Sequence, residues 1–152
     1  MEREKLLTQK IGLVLSGLGN LSKMFAVQTF AAKNLKITPE QFTVLAVLHE
    51  NDGLYQRQIS AMTLKDRPNV SRIVTILENM GYITKELETT GRKILKLSVT
   101  EEGKKIYEEA LPVILSIWQD TIEGIQEKDL EIFNNVQTKI RKNLLDKVNI
   151  QI

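Results

Sequence analysis

The chain has no cysteine, which excludes structural disulfides, thiolate zinc sites and thiol-based redox sensing together. It has a single histidine, His49. A lone histidine near a helix end is more often a cap or a surface residue than a catalyst, and Asp52 beside it supplies neither the ligand count nor the geometry for zinc. The eight glycines are scattered singly, so there is no glycine-rich phosphate loop. No Ser/His/Asp set is recognisable. The acidic pairs Glu101/Glu102 and Glu108/Glu109 are adjacent in sequence, so on a helix they do not converge on one point. No apolar run approaches the ~18 residues that a membrane span needs. The opening "MEREKLLTQK" carries charges of both signs and does not read as a signal peptide. Internal repeats, low-complexity segments and linkers are missing as well. These absences predict a cytoplasmic protein that is not an enzyme and has no metal, no cofactor and no membrane contact.

What is present describes a soluble domain. The 152 residues, 42% apolar and 26% charged, suffice for one well-buried core. The net charge of +2 names no partner, but its distribution is uneven. From Tyr55 to Lys105 ten Lys/Arg face six Asp/Glu, which leaves the remainder at −2. A basic middle between acidic flanks suits a nucleic-acid-binding core between interaction arms; ordinary scatter of surface charge is the competing reading.

Periodicity supplies the elements. From roughly Glu4 to Ala32, apolar residues at Leu7, Ile11, Val14, Leu18, Leu21 and Phe25 form one helical stripe, widened by Leu13, Leu15, Met24 and Val27. So broad a face requires two partners, its own domain and a second subunit. In "ITPEQFTVLAVLHENDG", Thr38 is an N-cap, Pro39 opens the helix and Gln41 completes a capping box, with Ile37 and Phe42 spaced for a hydrophobic staple. A short helix follows at about Gln56 to Met62. "LKD" then turns into a second helix capped by Asp66, at helix-turn-helix spacing. After Gly81 the pattern alternates: "YITKELE" and "KILKLSV" read as strands joined by "TTGR". Thr100 caps the next helix, and a last one, about Glu127 to Lys147, has its stripe at Phe133, Val136, Ile140 and Leu144. The order predicts a winged helix bracketed by helical arms.

The helix within "DRPNVSRIVTILENMGY" has an unusual exposed face. Val70, Ile73, Val74, Ile76, Leu77 and Met80 fall on one arc, and Pro68, Ser71, Arg72, Thr75, Glu78 and Asn79 on the other. The only acid on that polar arc comes late, at Glu78. An acid-free first turn leaves a positive helix end suited to phosphate. Ser, Thr and Asn reach phosphates or base edges, and Arg can fork onto guanine. A solvated surface helix is the bland alternative, but a turn helix before it and a wing after it favour DNA.

"DRPNVSRIVTILENMGYI", the hairpin with "TGRK" and "LSVTEEGKKIYEEA" together resemble the MarR family of bacterial transcriptional regulators. Leu77, Glu78 and Gly81 stand at that family's Leu-Glu-x-x-Gly, and Val99, Thr100 and Gly103 at its Leu-Thr-x-x-Gly. Arg92 and Lys93 stand at the wing tip. The resemblance implies a mainly α fold with a small β-hairpin. It would be a single MarR-like domain over 1–152, with a winged-helix lobe at 35–105 and dimerisation helices at 1–34 and 106–152. It further implies an obligate homodimer on a pseudo-palindromic operator in double-stranded DNA, most simply as a repressor. Arg67, Pro68, Asn69, Ser71, Arg72 and Thr75 would meet DNA from the helix, and Arg92 and Lys93 from the wing. Gly91 departs from the family's usual aspartate, and Lys93 acts as a point charge where the family has a forked arginine. Many family members bind a small aromatic or phenolic effector between arms and lobe. Met24, Phe25, His49, Tyr55 and Trp118 are the candidates to line such a pocket here, with plain dimer core as the alternative. The rival to the regulator reading is a winged-helix protein–protein interaction module without sequence-specific DNA binding.

Overall fold

The computed structural model of the protein describes residues 2–88 and 94–148, with side chains over 9–87 and 95–148. In chain order the elements are α1 (Glu2–Ala32), α2 (Pro39–Glu50), β1 (Leu54–Tyr55), α3 (Gln56–Thr63), α4 (Arg67–Asn79), β2 (Ile83–Glu88), β3 (Ile94–Val99), α5 (Glu101–Thr121) and α6 (Glu127–Leu145). The fold is mainly α with a small antiparallel sheet. Among the described residues no helix is long and apolar enough to cross a membrane.

The local signals act where their chemistry requires. Thr38 Oγ1 accepts from the Gln41 N–H at 3.2 Å, and the Thr38 N–H donates to Gln41 Oε1 at 2.9 Å. Ile37 and Phe42 are both buried beside that box. Leu64 ends α3 in the left-handed region, at φ 54°. The chain thereby turns within three residues to Asp66, whose carboxylate accepts from the Asn69 N–H at 2.8 Å and starts α4. Gly81, at φ 75°, turns the end of α4 into β2 without the penalty a β-carbon would bring.

The sheet is larger than the expected hairpin. β2 pairs with β3 from Ile83↔Val99 to Glu88↔Ile94, and β1 adds to the far edge of β3 through Leu54↔Leu97 and Tyr55↔Lys96. Gly53, at φ 75°, bends the chain into that edge and donates its N–H to the Leu97 carbonyl at 3.1 Å. α5 ends at Thr121. Gly124, again at φ 75°, reverses the chain toward α6.

The core is made by the end of α1 (Ala26, Phe30), by α2, by Ile59 of α3, by the inner face of α4 and by the sheet (Ile83, Leu97). Ile106, Ala110 and Ile117 of α5 complete it. Outside it, α6 buries none of its residues. Leu13, Leu18 and Leu21 of α1, Trp118 of α5, and Phe133 and Val136 of α6 are all exposed on the single chain.

Candidate nucleic-acid interface

α4 is held by its apolar face, with Val70, Ile73, Val74 and Leu77 buried. Burial of that arc leaves Arg67, Pro68, Ser71, Arg72 and Thr75 exposed along one line, with Asn69 half-buried at its edge. Arg72 Nη2 donates to Asn69 Oδ1 at 3.1 Å, so the guanidinium is oriented by a neighbour on its own helix. Thr75 Oγ1 donates to the Ser71 carbonyl at 2.9 Å, which uses its hydrogen and leaves its lone pairs to accept. The one acid of the face, Glu78, forms an ion pair with Lys85 of β2. The sequence held no local signal for this pair, because the two residues lie on different elements. Its effect is to cancel the only negative charge on α4.

The helix end is not bare, as its acid-free first turn suggested. Asp66 occupies the Asn69 N–H, and Pro68 has no N–H to offer. The cap that starts the helix thus takes up part of the positive end, and attraction for an anion here must come chiefly from side chains.

The wing stands beside α4 and is rooted in α5. Thr100 Oγ1 donates to the Gly81 carbonyl at 2.6 Å and accepts from the Gly103 N–H at 3.0 Å, while the Thr100 N–H donates to the Tyr82 carbonyl at 3.0 Å. One threonine therefore ties together the end of α4, the start of β2 and the start of α5. A β-carbon on Gly103 would lie 2.1 Å from that Tyr82 carbonyl oxygen, so the close approach requires glycine. Gly91, Arg92 and Lys93, at the wing tip, lie outside the described residues.

The five effector-pocket candidates differ in exposure. Met24, Phe25 and Trp118 are exposed. Tyr55 is half-buried at the start of α3 and donates its backbone N–H to Gln58 Oε1 at 2.9 Å. His49 stacks on Tyr107 with ring centroids 4.0 Å apart, and Tyr107 stacks in turn on Phe42 at 5.4 Å. A cleft of about 810 Å³ is lined by none of the five. It opens between Leu15 of α1, Leu64 at the α3–α4 corner and Ile140 and Leu144 of α6. Among the described residues no group of three or more acids and histidines could hold a metal ion.

Comparison with known proteins agrees with this architecture. The MarR family model matches residues 35–94, which run from the approach to α2 to the first residue of β3. An HTH-type transcriptional regulator of Bacillus subtilis, YybA, is 28% identical over 140 residues, covering 90% of this chain and 87% of that protein. A protein of unknown function from Listeria innocua has a similar structure, with a TM-score of 0.70 and 26% identity over 94% of this chain and 99% of that one. The Staphylococcus aureus MepR–DNA complex shares the fold at a TM-score of 0.78, with 22% identity over 87% of this chain and 96% of that one. The matched lobe, a relative spanning nearly the whole sequence and the shared winged-helix architecture support a MarR-family winged-helix regulator.

Proposed function

We propose that the chain acts in the cytoplasm as a homodimer that binds a pseudo-palindromic operator in double-stranded DNA and represses by occluding a promoter, without catalysis. The observation that carries this reading is the face of α4. An exposed row of Arg67, Pro68, Ser71, Arg72 and Thr75 has its only acid neutralised from the neighbouring strand. A rigid helix with that face fits the major groove, where every base pair presents a distinct donor and acceptor pattern. Asn69 orients Arg72 for a base, and Arg92 and Lys93 contact phosphate or the adjacent minor groove. The solved MepR structure named above is a complex with DNA, which supports the same mode of use here.

The dimer follows from surface that a single chain leaves uncovered. Leu18 and Leu21 of α1 and Phe133 and Val136 of α6 are about half exposed or more, and apolar surface concentrated on arm helices marks an interface. The segments 1–34 and 106–152 supply the dimerisation arms around the 35–105 lobe. Pairing of two lobes sets the two-fold symmetry of the operator. A small aromatic or phenolic effector, bound near Met24, Phe25, His49, Tyr55 and Trp118, releases the dimer from DNA.

Selection of bound duplexes from a random library tests the reading. The expected result is an enriched pseudo-palindromic sequence whose affinity falls steeply with salt, by a log–log slope of about −0.9 per phosphate neutralised. Failure to enrich any sequence would transfer the α4 face to a protein partner.

A further inference from the structure

One carboxylate sits among cations contributed by three separate segments. Glu40, in the first turn of α2, accepts from Lys23 Nζ of α1 at 2.8 Å. Lys65 Nζ, in the turn between α3 and α4, lies 3.8 Å from the same Oε1. Arg72 of α4 shares with Lys23 and Glu40 the wall of a small cavity of about 200 Å³. The capping of α2 does not need this acid, because Thr38 and Gln41 already satisfy each other's backbone N–H groups. The Lys23 hydrogen bond, chiefly, holds the Glu40 carboxyl below its ordinary range; Lys65 and Arg72 add to this through space, against an opposing effect of burial. The Glu40 and Lys65 side chains are only 28% and 19% exposed, so this attraction is less screened than that of a surface pair.

We propose that Glu40 is a positioning and specificity-determining residue for DNA binding, an internal anion that competes with phosphate for Lys65 and Arg72. The proposal rests on the DNA-binding reading above. Affinity for arbitrary DNA comes from lysine and arginine on phosphates, with release of counterions. A carboxylate already beside two of those cations lowers that affinity on every duplex. The loss is smaller on the correct site, where Arg72 serves a base, than on a wrong site, where Lys65 and Arg72 are both left to phosphates. Glu40 thereby widens the gap between specific and non-specific binding. Lys23 ties the same carboxylate to α1 and keeps it from following Arg72 into the groove.

The test compares full-length wild type, Glu40→Gln and Glu40→Asp on a selected site and on scrambled duplex across a salt series. Glu40→Gln is expected to bind scrambled duplex roughly three- to tenfold more tightly at low salt, the effect of one charge pair at about 4 Å in a water-like dielectric. Its salt slope should steepen by about one phosphate equivalent. Its ratio of specific to scrambled affinity should fall, whereas Glu40→Asp, which keeps the charge, should hold the wild-type ratio. Unchanged or weaker binding of Glu40→Gln to scrambled duplex overturns the proposal, as does a Glu40→Asp variant that behaves like Glu40→Gln. Wild type that binds no duplex at all overturns the DNA-binding reading itself, a result distinct from either of these.

Discussion

Replacing Gly103 with alanine adds one methyl group at the root of the wing, and the geometry says what it meets. The new β-carbon would lie 2.1 Å from the Tyr82 carbonyl oxygen and 2.7 Å from Val99 Cγ1. Ordinary van der Waals contact begins near 3.4 Å, so the carbonyl would have to retreat by more than 1 Å. It cannot do so freely, because it accepts the Thr100 N–H at 3.0 Å. Two effects oppose each other. Alanine is favoured over glycine in a helix by about 1 kcal/mol, less in the first turn, where Gly103 sits. Overpacking against fixed backbone costs about 1–3 kcal/mol or more, and weakening the half-buried Thr100–Tyr82 hydrogen bond about 1 kcal/mol further. The net loss is about 2 kcal/mol, which for a chain of this size lowers Tm by roughly 4–8 °C. Thermal unfolding followed by circular dichroism checks this, at one protein concentration for both proteins because dimerisation would couple to stability. An unchanged or raised Tm would refute the reasoning, since the propensity gain would then outweigh the clash.

The other expectations are read in solution. Phe133→Glu should weaken the dimer by light scattering and lower stability with it, because Phe133 is 58% exposed on the single chain and a carboxylate there is harmful only inside an interface; a dimer of unchanged affinity would remove α6 from the proposed interface. Arg72→Ala should weaken a selected site more than scrambled duplex, by about 1–3 kcal/mol. Arg92→Ala with Lys93→Ala should weaken both alike and make the salt slope shallower by roughly one to two units; reversal of the two patterns would exchange the roles of helix and wing. Asp66→Ala removes the acceptor of the Asn69 N–H and should destabilise the protein by about 1 kcal/mol in urea unfolding. Full retention of stability would mean that α4 is held by its buried face alone.

Much of the fold was legible because its signals are local. The Thr38–Gln41 box, the Asp66 and Thr100 caps and the two-faced period of α4 each act within a few residues, and each stands where the pattern puts it. The change from helical to alternating period after Gly81 marked the wing for the same reason. β1 escaped because two residues have no period to read. It exists only because Gly53 turns the chain onto an open edge of β3.

The candidate face was legible as a row of residues and illegible as an electrostatic surface. Sequence by itself determined which α4 residues point away from the core, since burial of Val70, Ile73, Val74 and Leu77 forces Ser71, Arg72 and Thr75 outward. Only the tertiary structure decided that Lys85 neutralises Glu78, that Glu40 gathers Lys23, Lys65 and Arg72, and that His49 stacks on Tyr107 at 4.0 Å. Tertiary structure alone also decided why position 103 is glycine, through a carbonyl twenty-one residues earlier in the chain. Caps and periods depend on backbone geometry repeated every few residues, which any stretch of sequence carries within itself. Pairings between distant residues depend on the path of the whole chain, which only packing of the core selects.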